Sequence, residues 1–136
     1  FSIMGTDDTR DSGGKSNPVV VKYITQTVNL ANEQFKQKNI DASSVPKILL
    51  THKPYLFDEV SDLNFDLMLS GHTHGGQVVF FKFGDLNLSF AAATHKYING
   101  LYENNGKSLY VSRGIGTVGL PIRFNCPPEI TKFTFV

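Results

Sequence analysis

The chain has no tryptophan and a single cysteine, Cys126. One thiol cannot close an internal disulfide, so no disulfide framework holds this fold and nothing marks an oxidising compartment. Followed by Pro127 and Pro128, Cys126 reads as a buried structural thiol rather than a reactive one. An excess of one charge is also missing. The 13 Lys and Arg stand against 12 Asp and Glu, leaving a net charge of +1. That balance gives no strong field for gathering nucleic acid or an anionic membrane. No apolar run approaches the ~20 residues of a membrane span. No targeting leader is visible. The chain opens on Phe1-Ser2-Ile3-Met4-Gly5, which reads as a core strand entered without a leader, and a longer protein would have room for an anchor upstream.

What is present is the patterning of a layered αβ fold. Hydrophobic residues make up 40% of the 136 positions, enough for one modest core. Residues 1–4 are an apolar strand candidate, followed by a polar loop to Asn17. Asn17 is a good helix cap and Pro18 suits the first helical position. Val20, Ile24, Thr27, Ala31 and Phe35 then recur at spacings of three and four, giving one apolar helix face that ends near Lys38 and Asn39. Residues 47–51 and 65–70 are continuous apolar runs, expected to be strands buried on both faces of a parallel or mixed sheet. Pro54 opens a short helix between them, carrying Leu56, Val60 and Leu63. The remainder is strand-rich, with candidates at 78–81, 86–90, 100–103, 108–112 and 130–136. Asn105-Gly106 supplies a two-residue hairpin turn, because both central positions of such a turn need positive φ. Residues 114–128 read as a loop without helix. No repeat and no domain boundary stand out.

The chemistry-bearing residues are His52, His72 and His74. His52 follows the strand Ile48-Leu49-Leu50-Thr51, and His72-Thr73-His74 follows Leu67-Met68-Leu69-Ser70. Parallel neighbours release both sets of imidazoles at one carboxyl-end edge, where open α/β sheets place ligands. Gly71, Gly75 and Gly76 bound the histidine pair and allow a sharp turn, so that the two rings can diverge toward nearby cations. An isolated histidine beside a strand is ordinarily a hydrogen-bonded core or surface residue; two sets at the ends of one strand–helix–strand unit favour metal ligation. His95, in Ala93-Thr94-His95-Lys96-Tyr97, has no such context and reads as ordinary. Arg113 and Arg123 lie in glycine-rich segments and are candidates for contacting a phosphate. Leu120, Pro121, Ile122 and Phe124 are expected to pack on the sheet, with a rim for a lipid-like substrate as the alternative.

Leu49-Leu50-Thr51-His52-Lys53-Pro54 together with Leu67-Met68-Leu69-Ser70-Gly71-His72-Thr73-His74-Gly75-Gly76-Gln77 resembles the last two motifs of the calcineurin-like metallophosphoesterases. The nearest likeness is to their bacterial membrane-associated phosphodiesterase branch. Gly100-Leu101-Tyr102, Tyr110-Val111-Ser112-Arg113-Gly114-Ile115-Gly116, Gly119-Leu120-Pro121-Ile122-Arg123-Phe124 and Cys126-Pro127-Pro128-Glu129-Ile130 extend it to the end of the chain. The resemblance implies an α/β fold, half of a two-sheet β-sandwich flanked by helices with a mixed sheet. It implies that residues 1–136 are the C-terminal part of a single metallophosphoesterase domain. It also implies hydrolysis of phosphomonoesters or phosphodiesters by a metal-bound hydroxide, with His52 and His72 on one ion and His74 on the other.

The ions implied are two divalent or trivalent metals, Mn, Fe or Zn, in the full-length enzyme, and one or none in this fragment. The family also uses Asp-x-His, Gly-Asp and Gly-Asn-His motifs, which this sequence lacks; Asp7, Asp8, Asp66 and Asp85 do not sit in those contexts. Asp7 and Asp8 match only a Gly-x-Asp-Asp segment of the same branch. The expectation is therefore a fragment that is inactive alone, whose partners are a phosphoester substrate and the missing N-terminal half. Self-association of the fragment and membrane association of the full-length protein go with that reading. So does a bacterial, cytoplasmic or membrane-associated location. The competing expectation is a non-catalytic metal-binding or partner-binding module.

Overall fold

The structure, a computed structural model, describes residues 1–6, 18–83, 86–89, 91–93 and 95–134. Its centre is a five-stranded mixed sheet in the order β1-β2-β3-β7-β6. Strands β1 (Ser2–Gly5), β2 (Lys47–Leu50), β3 (Leu67–Ser70) and β7 (Lys107–Val111) run parallel. β6 (Gly100–Asn104) closes the far edge antiparallel to β7. A separate two-stranded antiparallel ribbon is formed by β4 (Val79–Phe83) and β5 (Leu86–Ser89). The α/β class and the mixed sheet match the expectation from sequence.

Helix α1 (Pro18–Gln37) carries the connection from β1 to β2. Its capping residue, Asn17, and Asp7 and Asp8 lie outside the described residues. The β2–β3 crossover is compact: a 3-10 turn at Pro54–Leu56 runs into the four-residue α2 (Phe57–Val60). Val20, Ile24 and Val28 of α1, with Leu56, Phe57 and Val60, pack against Met4, Leu49, Met68, Leu109 and Val111, which share one face of the sheet. Val20 and Ile24 belong to the helical face read from the sequence, while Val28 is buried where the spacing predicts Thr27, which is half-buried with Ala31 and Phe35. Burying this face explains why α1 persists.

Asp58 of α2 ties the crossover to the segment before β6. It accepts hydrogen bonds from Lys96 Nζ at 2.8 Å, Tyr97 Oη at 2.6 Å and Asn104 Nδ2 at 2.9 Å. Burial pushes its carboxyl upward, but those donors more than offset it and hold it below the ordinary carboxylate range. The β6–β7 hairpin turns at Asn105 (φ 50°) and Gly106 (φ 70°), the positive-φ pair that the sequence announces.

Two expectations are corrected. Burial on both faces holds only in part: Ile48 of β2 is buried on the face away from α1, but its neighbours on that face are not fully covered. Leu67 and Leu69 are half-buried, while Ile3, Leu50 and Leu101 on the face away from α1 are exposed. Apolar runs arise because Leu67 and Leu69 still gain partial cover there, not because a second helix layer covers them. Residues 130–134 also form no strand. They lie beside β7 through side chains instead: Tyr110 Oη donates to Glu129 Oε1 at 2.6 Å, and the Tyr110 and Phe133 rings meet edge to face at 5.2 Å.

Candidate metal centre

The carboxyl ends of β2, β3 and β7 converge on one edge, and the chain holds them together beyond the strands themselves. Thr51 N donates to Leu69 O at 3.1 Å, Gly71 N to His52 O at 3.2 Å, and Ser112 N to Ser70 O at 2.8 Å. The Thr51 and Ser70 hydroxyls meet at 2.8 Å. His52 therefore leaves the sheet directly beside Gly71 and His72.

His52 Nε2 and His72 Nδ1 stand 2.8 Å apart, with ring centroids 4.6 Å apart in an edge arrangement. A nitrogen–nitrogen contact this short requires one shared proton. Two imidazoles bound cis to one cation, each at about 2.0–2.1 Å, would hold their nitrogens roughly 2.9–3.4 Å apart. The pair thus needs only loss of that proton and a slight opening to accept an ion, and imidazole suits Zn, Fe or Mn. His74 faces the same open pocket of roughly 340 Å³, together with Arg113, Ser112 and Gly116. Its Nδ1 lies 3.2 Å from Gly116 O. A carbonyl can only accept, so Nδ1 carries the proton and Nε2 keeps its lone pair, as metal-binding histidines do when a carbonyl fixes their tautomer. Among the described residues, no group of three or more His, Cys, Asp and Glu is arranged to hold one ion. The donor set fits a cation at the His52–His72 pair and leaves its other positions open.

The turn that carries the histidines is strained. His72 (φ 71°), His74 (φ 52°) and Gln77 (φ 50°) all adopt left-handed backbone, alongside Gly75 (φ 64°) and Gly76 (φ 88°). Non-glycine residues enter that region at a cost of about 1–2 kcal/mol each, and such outliers collect at functional sites. Thr73 Oγ1 anchors the turn by donating to Ile98 O at 2.6 Å.

The two arginines have different occupations. Arg113 lines the pocket, and its Nε donates to Glu129 Oε2. Burial pushes the Glu129 carboxyl up, but bonds from Tyr110, Thr131 and Arg113 outweigh it and hold the group below its ordinary value. Arg123 does not line the pocket. Its guanidinium donates to the carbonyls of Arg113, Gly114, Gly116, His74 and Cys126 and so staples the loop. Cys126 is buried, as expected, with Sγ 3.3 Å from both His74 O and Gly75 O.

Sequence reasoning did not find Gln77, whose Nε2 donates to Val118 O and Leu120 O at 3.0 and 2.9 Å while Oε1 accepts from Val118 N at 2.7 Å. His95 is also not the isolated residue expected: its ring lies 6.0 Å from Tyr55 and 6.1 Å from His72. Leu120, Ile122 and Phe124 are exposed instead of packed on the sheet, because Gln77 and Arg123 hold this loop by its backbone.

No family model matches the chain, and no solved structure does. Curated proteins do. The chain is 40% identical over 87 residues to the uncharacterized metallophosphoesterase YkuE of Bacillus subtilis, covering 64% of this chain and 30% of that protein. It is 35% identical over 114 residues to the phosphodiesterase YaeI of Escherichia coli, covering 83% of this chain and 41% of that protein. An uncharacterized metallophosphoesterase of Helicobacter pylori is 36% identical over 132 residues, 96% of this chain and 34% of that protein. The chain spans about a third of the length of the curated relatives it matches. Similarity that reaches across the sheet and the histidine turn places the chain in the calcineurin-like metallophosphoesterase family.

Proposed function

We propose that this chain is the C-terminal, histidine-bearing part of a metallophosphoesterase domain that hydrolyses phosphomonoesters or phosphodiesters, with His52, His72 and His74 as metal ligands. The observation that carries the reading is the His52–His72 nitrogen pair at 2.8 Å, at the carboxyl edge of the parallel strands. A bound cation would supply Lewis acidity toward the phosphoryl group and toward water.

The chain's own residues have separate tasks. His52 and His72 would hold one ion from neighbouring strand ends. His74, with its tautomer fixed by Gly116, would offer Nε2 to a second. Arg113 stands at the pocket wall with Nε held by Glu129, which leaves its terminal nitrogens for a phosphoryl oxygen. Arg123 keeps the 112–126 loop in shape. The phosphodiesterase YaeI supports a diester as substrate. The exposed Ile3, Leu50 and Leu101 mark the sheet face on which the rest of the domain would pack. With no carboxylate joining the histidine pair among the described residues, the chain alone binds at most one divalent ion and is inactive.

Titration calorimetry with Mn(II) or Zn(II) tests this. We expect one ion per chain, and His52→Ala or His72→Ala should weaken it by more than about 10-fold, the loss typical even of an outer-sphere partner. Binding that ignores both substitutions refutes the ligand assignment. Tight binding of two ions, or phosphodiester turnover by the chain alone, refutes its being an incomplete site.

A further inference from the structure

His95 is joined to the histidine pair by a row of four rings. Tyr55 and His95 are stacked, with centroids 6.0 Å apart and planes 9° apart. His95 then meets His72 edge to face at 6.1 Å, and His72 meets His52 in the same manner at 4.6 Å. Both ends of the row come from the β2–α2 connection, which supplies His52 and Tyr55. His72 and His95, from two other segments, are clasped between them. The orientation of the His72 ring is thus fixed from one side by His52 and from the other by His95.

Packing alone does not account for an imidazole here. His95 Nδ1 is buried and, among the described residues, has no hydrogen-bond partner. A phenyl ring would fill the same stack without that desolvated nitrogen, and the chain uses phenylalanine freely, with 11 copies. Buried polar atoms left unpartnered are rare in folded proteins, and each calls for an explanation such as a catalytic role or an ion that belongs there. Histidines that ligate metals are ordinarily oriented by such outer groups.

We propose that His95 is a positioning residue of this site. It holds the His72 ring by edge contact and keeps Nδ1 for a hydrogen bond that forms when the pocket is loaded. This rests on the assignment of His52 and His72 as ligands, and the test separates the two claims. Long-range proton–nitrogen spectra of the histidine rings are recorded on the full chain during titration with Zn(II), with and without inorganic phosphate. Resonances of His52 Nε2 and His72 Nδ1 should move on loading, and that of His95 Nδ1 should move with them.

If His52 and His72 respond and His95 stays still under both conditions, the positioning role is overturned while the ligand assignment stands. If none of the three responds, both fall. Two variants give an independent measure. His95→Phe keeps the ring and removes the nitrogens, whereas His95→Asn offers an amide near the Nδ1 position. His95→Phe should lower Zn(II) affinity by about 10-fold, and His95→Asn should restore most of it. Equal affinity in His95→Phe and the parent chain overturns the role assigned to Nδ1.

Discussion

Substituting Gly75 with alanine isolates how tightly the histidine turn is built. Gly75 has φ +64°, and a Cβ there would lie 2.4 Å from Arg113 Cγ, 2.9 Å from Arg113 Cδ and 2.8 Å from Cys126 Sγ. The left-handed backbone costs alanine about 1–2 kcal/mol. The overlap cannot be relieved cheaply, because Arg113 is held by Glu129 and the Cys126 thiol is buried against the turn carbonyls. Overpacking of this kind costs about 1–3 kcal/mol. The expected loss is therefore roughly 2–5 kcal/mol, a large share of the stability of a small domain, or roughly 6–20 °C in melting temperature.

Two other glycines resolve that total into its parts. Gly114 has φ +62° and open space, so Gly114→Ala pays the backbone cost alone. Gly71 has open space and no left-handed backbone, so Gly71→Ala should be neutral or stabilise by about 0.4–1 kcal/mol through the unfolded chain. Urea denaturation of the three variants should rank Gly75→Ala below Gly114→Ala below Gly71→Ala. A Gly75→Ala chain as stable as Gly71→Ala would refute the close packing of Arg113 and Cys126 over the turn.

Gln77→Ala removes two donated bonds and one accepted bond to the loop, leaving Val118 N without its partner. The expected cost is about 1–3 kcal/mol. Amide exchange should quicken at Val118 but not at Met68 in the sheet core; equal exchange at both would show that Gln77 does not hold the loop. Glu129 sets an acid limit on the C-terminal segment. Its carboxyl lies below the ordinary 4.5 in the folded chain, so the stability it contributes is present above that pH and disappears as pH falls through the lower folded value. Urea midpoints measured from about pH 6 down to pH 3 should fall less steeply in Glu129→Gln than in the parent chain. Parallel curves would place the acid sensitivity elsewhere, with Asp58 the next candidate.

The parts of this fold legible in the sequence are those fixed by local periodicity and turn chemistry. The α1 face repeats every three to four residues, the β2 and β3 runs are apolar and short, and Asn105-Gly106 permits one turn type. Once β2 and β3 are parallel neighbours, His52 and His72 must share an edge, so the centre of the site was readable too. The rest depends on contacts between distant segments. Nothing near His95 in the sequence marks it, because its neighbours Tyr55 and His72 come from distant segments. The loop bonds of Arg123 were not legible, because a guanidinium near glycines suits an anion as well as it suits a ring of backbone carbonyls. The sheet's second face was misread for a related reason, since an apolar run does not say what covers it.

The strain in the histidine turn has a structural answer that bears on the chemistry. Left-handed His72, His74 and Gln77 would relax if the turn were free. It is not free. Arg123 Nη1 and the Cys126 thiol both bond His74 O, Thr73 bonds Ile98 O, and Gln77 bonds the loop beyond Gly116. These restraints come from segments other than β3 and add to the turn's own bonds, Gly76 N to Thr73 O and Gln77 N to His74 O, so the finished fold reinforces what the local sequence begins. An ion at the proposed site would meet imidazoles already oriented, so the ordering cost that weakens an unformed site would have been met during folding. The same logic places the weak point of the site in the 112–126 loop, where loss of Arg123 would release His74 and the Gly116 carbonyl that sets its tautomer together.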